Sequence, residues 1–140
     1  MRQSSSEYEK MFQVKMIEDN MYHWEAILHG PEDSLYENYK FKLDIVLPEN
    51  YPFSPIKIKF LTRIKHINVN SDGDICLDIL KTNWTPSQNI QTIILSIRLL
   101  LSNPNPDDPF NSELAEVFRK DQFKYMAVVK DYCKKHAIKN

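Results

Sequence analysis

Cys76 stands in Asp74-Ile75-Cys76-Leu77-Asp78, a thiol between acidic residues, with His66 and Asn68 ten and eight positions earlier. Thiol, imidazole and amide are side chains of nucleophilic acyl transfer, in which sulfur carries an acyl group between donor and acceptor. The acidic flank weighs against a papain-type protease, because nearby carboxylates raise a thiol's pKa and keep it protonated. A thiol that need not attack an unactivated amide can still accept an acyl group from an activated donor. On spacing alone, Cys76 stays open between a packed thiol and a nucleophile. Metal chemistry is less well supported. Asn68, Asn70, Asp72 and Gly73 imitate the first half of a calcium loop, but Ile79 falls where the closing bidentate carboxylate belongs. The histidines and cysteines lack paired ligand spacing, so no metal is expected.

These residues lie between Thr62 and Pro86, a stretch of about 25 residues without clear periodicity, longer than ordinary connections in compact domains. Its apolar content (Ile64, Ile67, Val69, Ile75, Leu77, Trp84) argues for a loop packed on the domain and presenting something. The elements that must hold it differ on its two sides. Upstream, Glu9 to Ile17 reads as a weak strand and Tyr22 to Leu28 as a second. Phe41, Leu43, Ile45 and Leu47 alternate with polar neighbours, as do Ile56, Ile58 and Phe60. Four sequential strands with short links predict an antiparallel meander. Downstream the period changes: Ile90, Ile93, Ile94, Ile97, Leu100 and Leu101 fall at helical spacing between Ser87-Gln88-Asn89 and Asn103-Pro104. Leu114, Val117 and Phe118 mark a short helix, and Tyr125, Val128, Val129, Tyr132 and Cys133 a longer one from about Asp121. Strands followed by helices give an α+β domain: a four-stranded antiparallel meander sheet packed on a central helix, with C-terminal helices. Cys133, on the apolar stripe, reads as a small buried hydrophobe.

At 140 residues and 16.6 kDa the chain has room for one ordinary core. Its formal net charge of −1 lacks the positive excess of a nucleic-acid binder, and Lys130, Lys134, Lys135 and Lys139 read as a solvated helix face. No stretch approaches the ~20 apolar residues of a membrane span. MRQSSSEYEK lacks the apolar core of a secretory signal, and the cysteines read as free thiols, so the expected location is cytoplasmic or nuclear.

The sequence resembles the ubiquitin-conjugating enzymes over most of its length. The segments that carry the resemblance occur in the family's order: Met21-Tyr22-His23-Trp24, Gly30-Pro31-Glu32-Asp33-Ser34, Tyr51-Pro52-Phe53-Ser54-Pro55, Thr62-Arg63-Ile64-Lys65-His66, Asp74 to Leu80, Trp84-Thr85-Pro86, and Asn103 to Pro109. The resemblance implies a conjugating core over residues 8–140 after a short tail of residues 1–7, the family's N-terminal helix being missing or trimmed. It makes Cys76 the nucleophile that receives ubiquitin as a thioester from an activating enzyme and yields it to a lysine amine, with no cofactor at the thiol. Asn68 would steady the oxyanion or the loop beside it. His66 would be structural. Asp78 and Asp108 would line the lysine approach, where a carboxylate can orient an amine and help remove its proton. For Asp108 the plain alternative is a turn-forming residue beside prolines. Phe53, Pro86 and Ser87 would dock ubiquitin ligases, and Leu95 and Leu99 would contact the donor ubiquitin, core packing being the alternative. Ile67 and Ile56 stand where the family has proline, so two loops lose a fixed φ and are expected to be looser. The rival implied functions are a non-catalytic ubiquitin-handling module of this fold and a conjugating enzyme for another ubiquitin-like modifier.

Overall fold

The computed structural model describes residues 5–140. Helix α1 (Ser5–Met11) leads into strands β1 (Phe12–Ile17), β2 (Asn20–His29), β3 (Tyr39–Val46) and β4 (Lys57–Phe60), which pair antiparallel in sequence order. Helices α2 (Ile90–Ser102), α3 (Ser112–Lys120) and α4 (Gln122–His136) follow, and a two-residue strand β5 (Ile138–Lys139) returns to pair with Tyr39 and Lys40 at the start of β3. The period-two alternation decides which face of the sheet is dry. Phe41, Leu43 and Ile45 are wholly buried, and they join Ala26 and Leu28 of β2 in one core. The central helix meets that core with Ile93, Ile94, Ile97, Leu100 and Leu101. It starts at Asn89, where a reciprocal pair of hydrogen bonds with Thr92, each 2.9 Å, satisfies backbone donors that would otherwise lack partners.

The start of the chain differs from the alternation reading. Glu9, Lys10 and Met11 belong to α1, and β1 begins only at Phe12, which pairs with Leu28. A short helix of seven residues therefore precedes the first strand, and Glu9 to Met11, read as the start of that strand, belong to it. The reason lies in spacing: Tyr8 and Met11 pack on the core three residues apart, a helical interval, and the Tyr8 ring lies 6.1 Å from that of Phe12 at the start of β1. The stretch MRQS, most of the short tail set off as residues 1–7, lies outside the described residues.

Two turns are conformationally demanding. Gly30 sits so close to the chain after β2 that a Cβ there would fall 1.8 Å from the Tyr36 carbonyl oxygen. The β1–β2 hairpin turns through Glu18 and Asp19, at φ 51° and 56°, the arrangement of a two-residue turn with left-handed backbone at both central positions. Glu disfavours that region, and Asp visits it less readily than Gly. Replacing Glu18-Asp19 by Asn-Gly should raise stability by about 0.5–1 kcal/mol in urea denaturation with an unchanged slope; destabilisation would show that the turn is tuned to its acidic residues.

Candidate active site

The long segment after β4 is folded by a buried polar relay. His66 is 1% exposed, with Nε2 2.9 Å from the Leu100 carbonyl in the last turn of α2 and Nδ1 accepting from the Asn68 backbone N–H at 2.9 Å. One bond needs an N–H and the other a lone pair, so the ring is neutral with its proton on Nε2. Burial holds its pKa down to about 4, the Leu100 contact only partly opposing this. The Tyr36 hydroxyl donates to the Lys65 carbonyl and its ring lies 5.9 Å from the imidazole, fixing the approach to the relay.

Asn68, also 1% exposed, extends the relay to the loop between α2 and α3. Its Nδ2 donates to the carbonyls of Asn105 (2.9 Å) and Asp108 (3.0 Å), and its Oδ1 accepts from the Asn105 N–H (2.8 Å). Both amide hydrogens are thus engaged by the loop. The backbone carbonyl of Asn68 accepts from the Cys76 N–H at 2.8 Å. Between them a tight hairpin passes through Gly73, at φ 88°, where a Cβ would lie 2.0 Å from the Phe60 carbonyl oxygen. One asparagine therefore sets both the strand of the thiol and the loop of the acid.

The two meet at the surface. Cys76, partly exposed, directs Sγ to Asp108 Oδ2 at 3.2 Å, and Lys81 Nζ lies 3.8 Å from the sulfur on its other side. Desolvation raises the thiol's pKa above its ordinary value, the hydrogen bond to Asp108 adds to the rise, and the positive charge of Lys81 opposes it. Lys81 escaped the sequence reading; its only signal was a cation five residues past the thiol. Asp78 takes another path: it opens a 3₁₀ turn, Asp78–Leu80, and accepts from Asn83 Nδ2 at 2.9 Å rather than from the thiol. Ile67, expected to loosen its loop, is wholly buried, and its carbonyl accepts from Phe110 N–H and Asn111 N–H, both 2.9 Å. Ile56 is buried as well.

Away from the thiol, Trp84 Nε1 donates to the Pro52 carbonyl at 2.9 Å and its indole lies 6.3 Å from the Tyr51 ring, which ties the two loops bearing Phe53, Pro86 and Ser87 into one platform. Phe53 is 77% exposed at its tip, with Pro86 and Ser87 exposed beside it. On α2, Leu99 is 65% exposed while Leu95 is half-buried against the core. Cys133 lies in the core, where burial pushes its thiol up to about 11.

The comparisons agree with this architecture. The family model described as ubiquitin-conjugating enzyme matches residues 1–133. A probable ubiquitin-conjugating enzyme of Acanthamoeba polyphaga mimivirus is 52% identical over 131 residues, covering 93% of this chain and 83% of that protein. Among solved structures, a protein assigned as a ubiquitin conjugating enzyme from Plasmodium yoelii superposes with a TM-score of 0.87 at 37% identity, over 94% of this chain and 86% of that one. The conjugating domain of a Toxoplasma gondii ubiquitin conjugating enzyme gives 0.85 at 34% identity, over 94% and 92%. The chain belongs to the ubiquitin-conjugating enzyme family.

Two outcomes follow from these electrostatics. In an NMR titration the His66 ring should keep its neutral-form shifts down to pH 5, and the fold should lose stability as pH falls. The sign follows from proton binding: between about 6.5 and 4 the unfolded chain protonates this imidazole and the folded chain does not. An inflection of His66 near 6.5 would refute the buried neutral ring. In alkylation by iodoacetamide against pH, Asp108→Ala should shift the Cys76 midpoint down and Lys81→Met should shift it up; the opposite order would mean that neither charge acts on the sulfur as placed.

Proposed function

We propose that this chain accepts ubiquitin from an activating enzyme as a thioester on Cys76 and yields it to lysine amines, with a ubiquitin ligase docked on the loops of Phe53, Pro86 and Ser87. The observation that carries the reading is the placement of Asp108 Oδ2 3.2 Å from a partly exposed sulfur, in a chain of this family. A thiol with a raised pKa is a poor attacker of amides, but the incoming carboxyl arrives already activated, and exchange between thiols needs only a transient thiolate. In the second step a lysine must shed a proton as it attacks. Asp108, on the exposed side of the thiol, is placed to orient the ammonium and draw off that proton. Asn68 and His66 act as positioning residues through the loop that carries Asp108. Asp78 shapes the turn after the nucleophile through its bond to Asn83. Leu99, projecting from α2, offers an apolar contact for the donor ubiquitin, with Leu95 beneath it. The site of action proposed is the cytoplasm or nucleus.

The test mixes the chain with activating enzyme, ATP and ubiquitin and compares reducing with non-reducing gels. A thiol-sensitive adduct should form and should vanish in Cys76→Ala. Asp108→Ala should still charge but should discharge to free lysine roughly 10²-fold more slowly, the scale of a lost general base. Equal loss in both steps would remove the assigned role of Asp108. No adduct with ubiquitin, in a chain shown to be folded, would favour another modifier or a binding module.

A further inference from the structure

The loop that carries Asp108 is gripped from two sides. Asn68 holds its two ends, bonding the carbonyls of Asn105 and Asp108 and the N–H of Asn105. The two residues between are held by Arg119, in the last turn of α3: its Nη2 donates to the Pro106 carbonyl at 3.2 Å and to Asp107 Oδ1 at 2.6 Å. One nitrogen with two hydrogens thus serves two acceptors. Arg119 is itself tied to the site by the chain. Beyond Asp108, the N–H groups of Phe110 and Asn111 are bound to the Ile67 carbonyl, and the Asn111 side chain caps α3 by accepting from Leu114 N–H at 3.0 Å. The helix so anchored carries Arg119 back to the loop from which it set out. The circuit closes on Asp107, whose N–H donates to Asn105 Oδ1 at 3.1 Å.

Both partners of this ion pair are open to water, the Arg119 side chain 56% exposed and that of Asp107 84%. Such a pair adds little to stability. Its effect is felt where small displacements are costly, and the acceptor step is such a place: a misplacement of about 1 Å can cost about 10²-fold in rate. Resting on the proposed delivery to lysine through Asp108, we propose that Arg119 is a positioning residue for that step. By pinning Pro106 and Asp107 it keeps the next carboxylate turned to the sulfur, 3.2 Å away. It also engages the Asp107 carboxylate, so that of two adjacent acids one is paired with α3 and the other is left to meet the amine. The chemistry is that of the acceptor step: the amine nitrogen forms the C–N bond, the C–S bond breaks, and the amine proton passes by way of Asp108 to the departing sulfur.

The experiment charges the full chain with ubiquitin, stops the activating enzyme by chelating its magnesium, and follows loss of the thioester to free lysine and, separately, to hydroxylamine. Lysine arrives protonated at neutral pH and needs Asp108, whereas hydroxylamine is uncharged there and does not. Arg119→Met should charge normally and discharge to lysine about three- to ten-fold more slowly, with discharge to hydroxylamine as in the unaltered chain. Arg119→Lys should recover most of the lysine rate, because a single nitrogen makes both bonds. Lys120→Ala, which breaks the neighbouring exposed pair with Glu116, should leave both rates as they are. Adding Arg119→Met to Asp108→Ala should cost nothing further. Equal losses with both nucleophiles, additive losses in the double variant, or an undiminished lysine rate in Arg119→Met would each overturn the proposal while leaving the role of Asp108 standing. An undiminished lysine rate in Asp108→Ala would overturn both.

Discussion

The neutral imidazole of His66 is the constraint on which the rest of the site depends. It is buried where a charge would be costly, and it meets both its hydrogen-bonding needs with backbone groups of different elements, the end of α2 and the start of the active-site hairpin. The His66 bond holds the Asn68 backbone, and the Asn68 side chain in turn makes three bonds to the 105–108 loop while its carbonyl holds Cys76. A sulfur and a carboxylate that are 32 residues apart in sequence are thereby placed 3.2 Å apart. Because each polar atom in this relay is satisfied, displacing any one leaves a buried donor or acceptor unpaired, at about 1–3 kcal/mol. The relay is held by that penalty more than by the strength of any single bond.

The environment of the thiol suits a carrier better than a hydrolase. A hydrolytic thiol must be a thiolate at rest, and here desolvation and a carboxylate both oppose ionisation, with one lysine working the other way. On the proposed function, the carboxylate that disfavours the free thiolate becomes useful once sulfur is acylated and uncharged, since its remaining work would be to receive a proton from an amine. Asp108 and Lys81 act in opposite directions on the proton affinity of one atom.

Much of this was legible in the sequence, and the exceptions have physical causes. The alternation in β3 and β4 and the helical spacing of α2 survive because each element has one dry face. The thiol and its motif partners were visible by type and order. What alternation could not show was that Tyr8 and Met11 contact the core at a helical interval, so that Glu9 to Met11 wind rather than extend. Strand β5 is two residues long and depends on pairing with β3, not on a pattern of its own. Lys81 and the turn of Asp78 toward Asn83 were hidden for a related reason: both depend on where a 3₁₀ turn sends the chain, and such a turn has no periodicity to read.

Ile67 and Ile56 show how order at the site is supplied. Against proline at these positions, isoleucine gives up a fixed φ, at roughly 0.4–1 kcal/mol through the unfolded chain. Each isoleucine has one more carbon than proline, and both are buried, which returns about 0.8 kcal/mol per residue. The two quantities nearly cancel, so the exchange is close to neutral in stability while changing where rigidity comes from. A proline stiffens its loop whether or not the protein is folded. Ile67 does so only while the core around it holds and while its carbonyl keeps the N–H groups of Phe110 and Asn111. The position of Asn68, and through it the gap between Cys76 and Asp108, is therefore set by tertiary packing rather than by the local chain. Substitutions that loosen the core beneath Ile67 should thus disturb the acceptor side of the site before they unfold the protein.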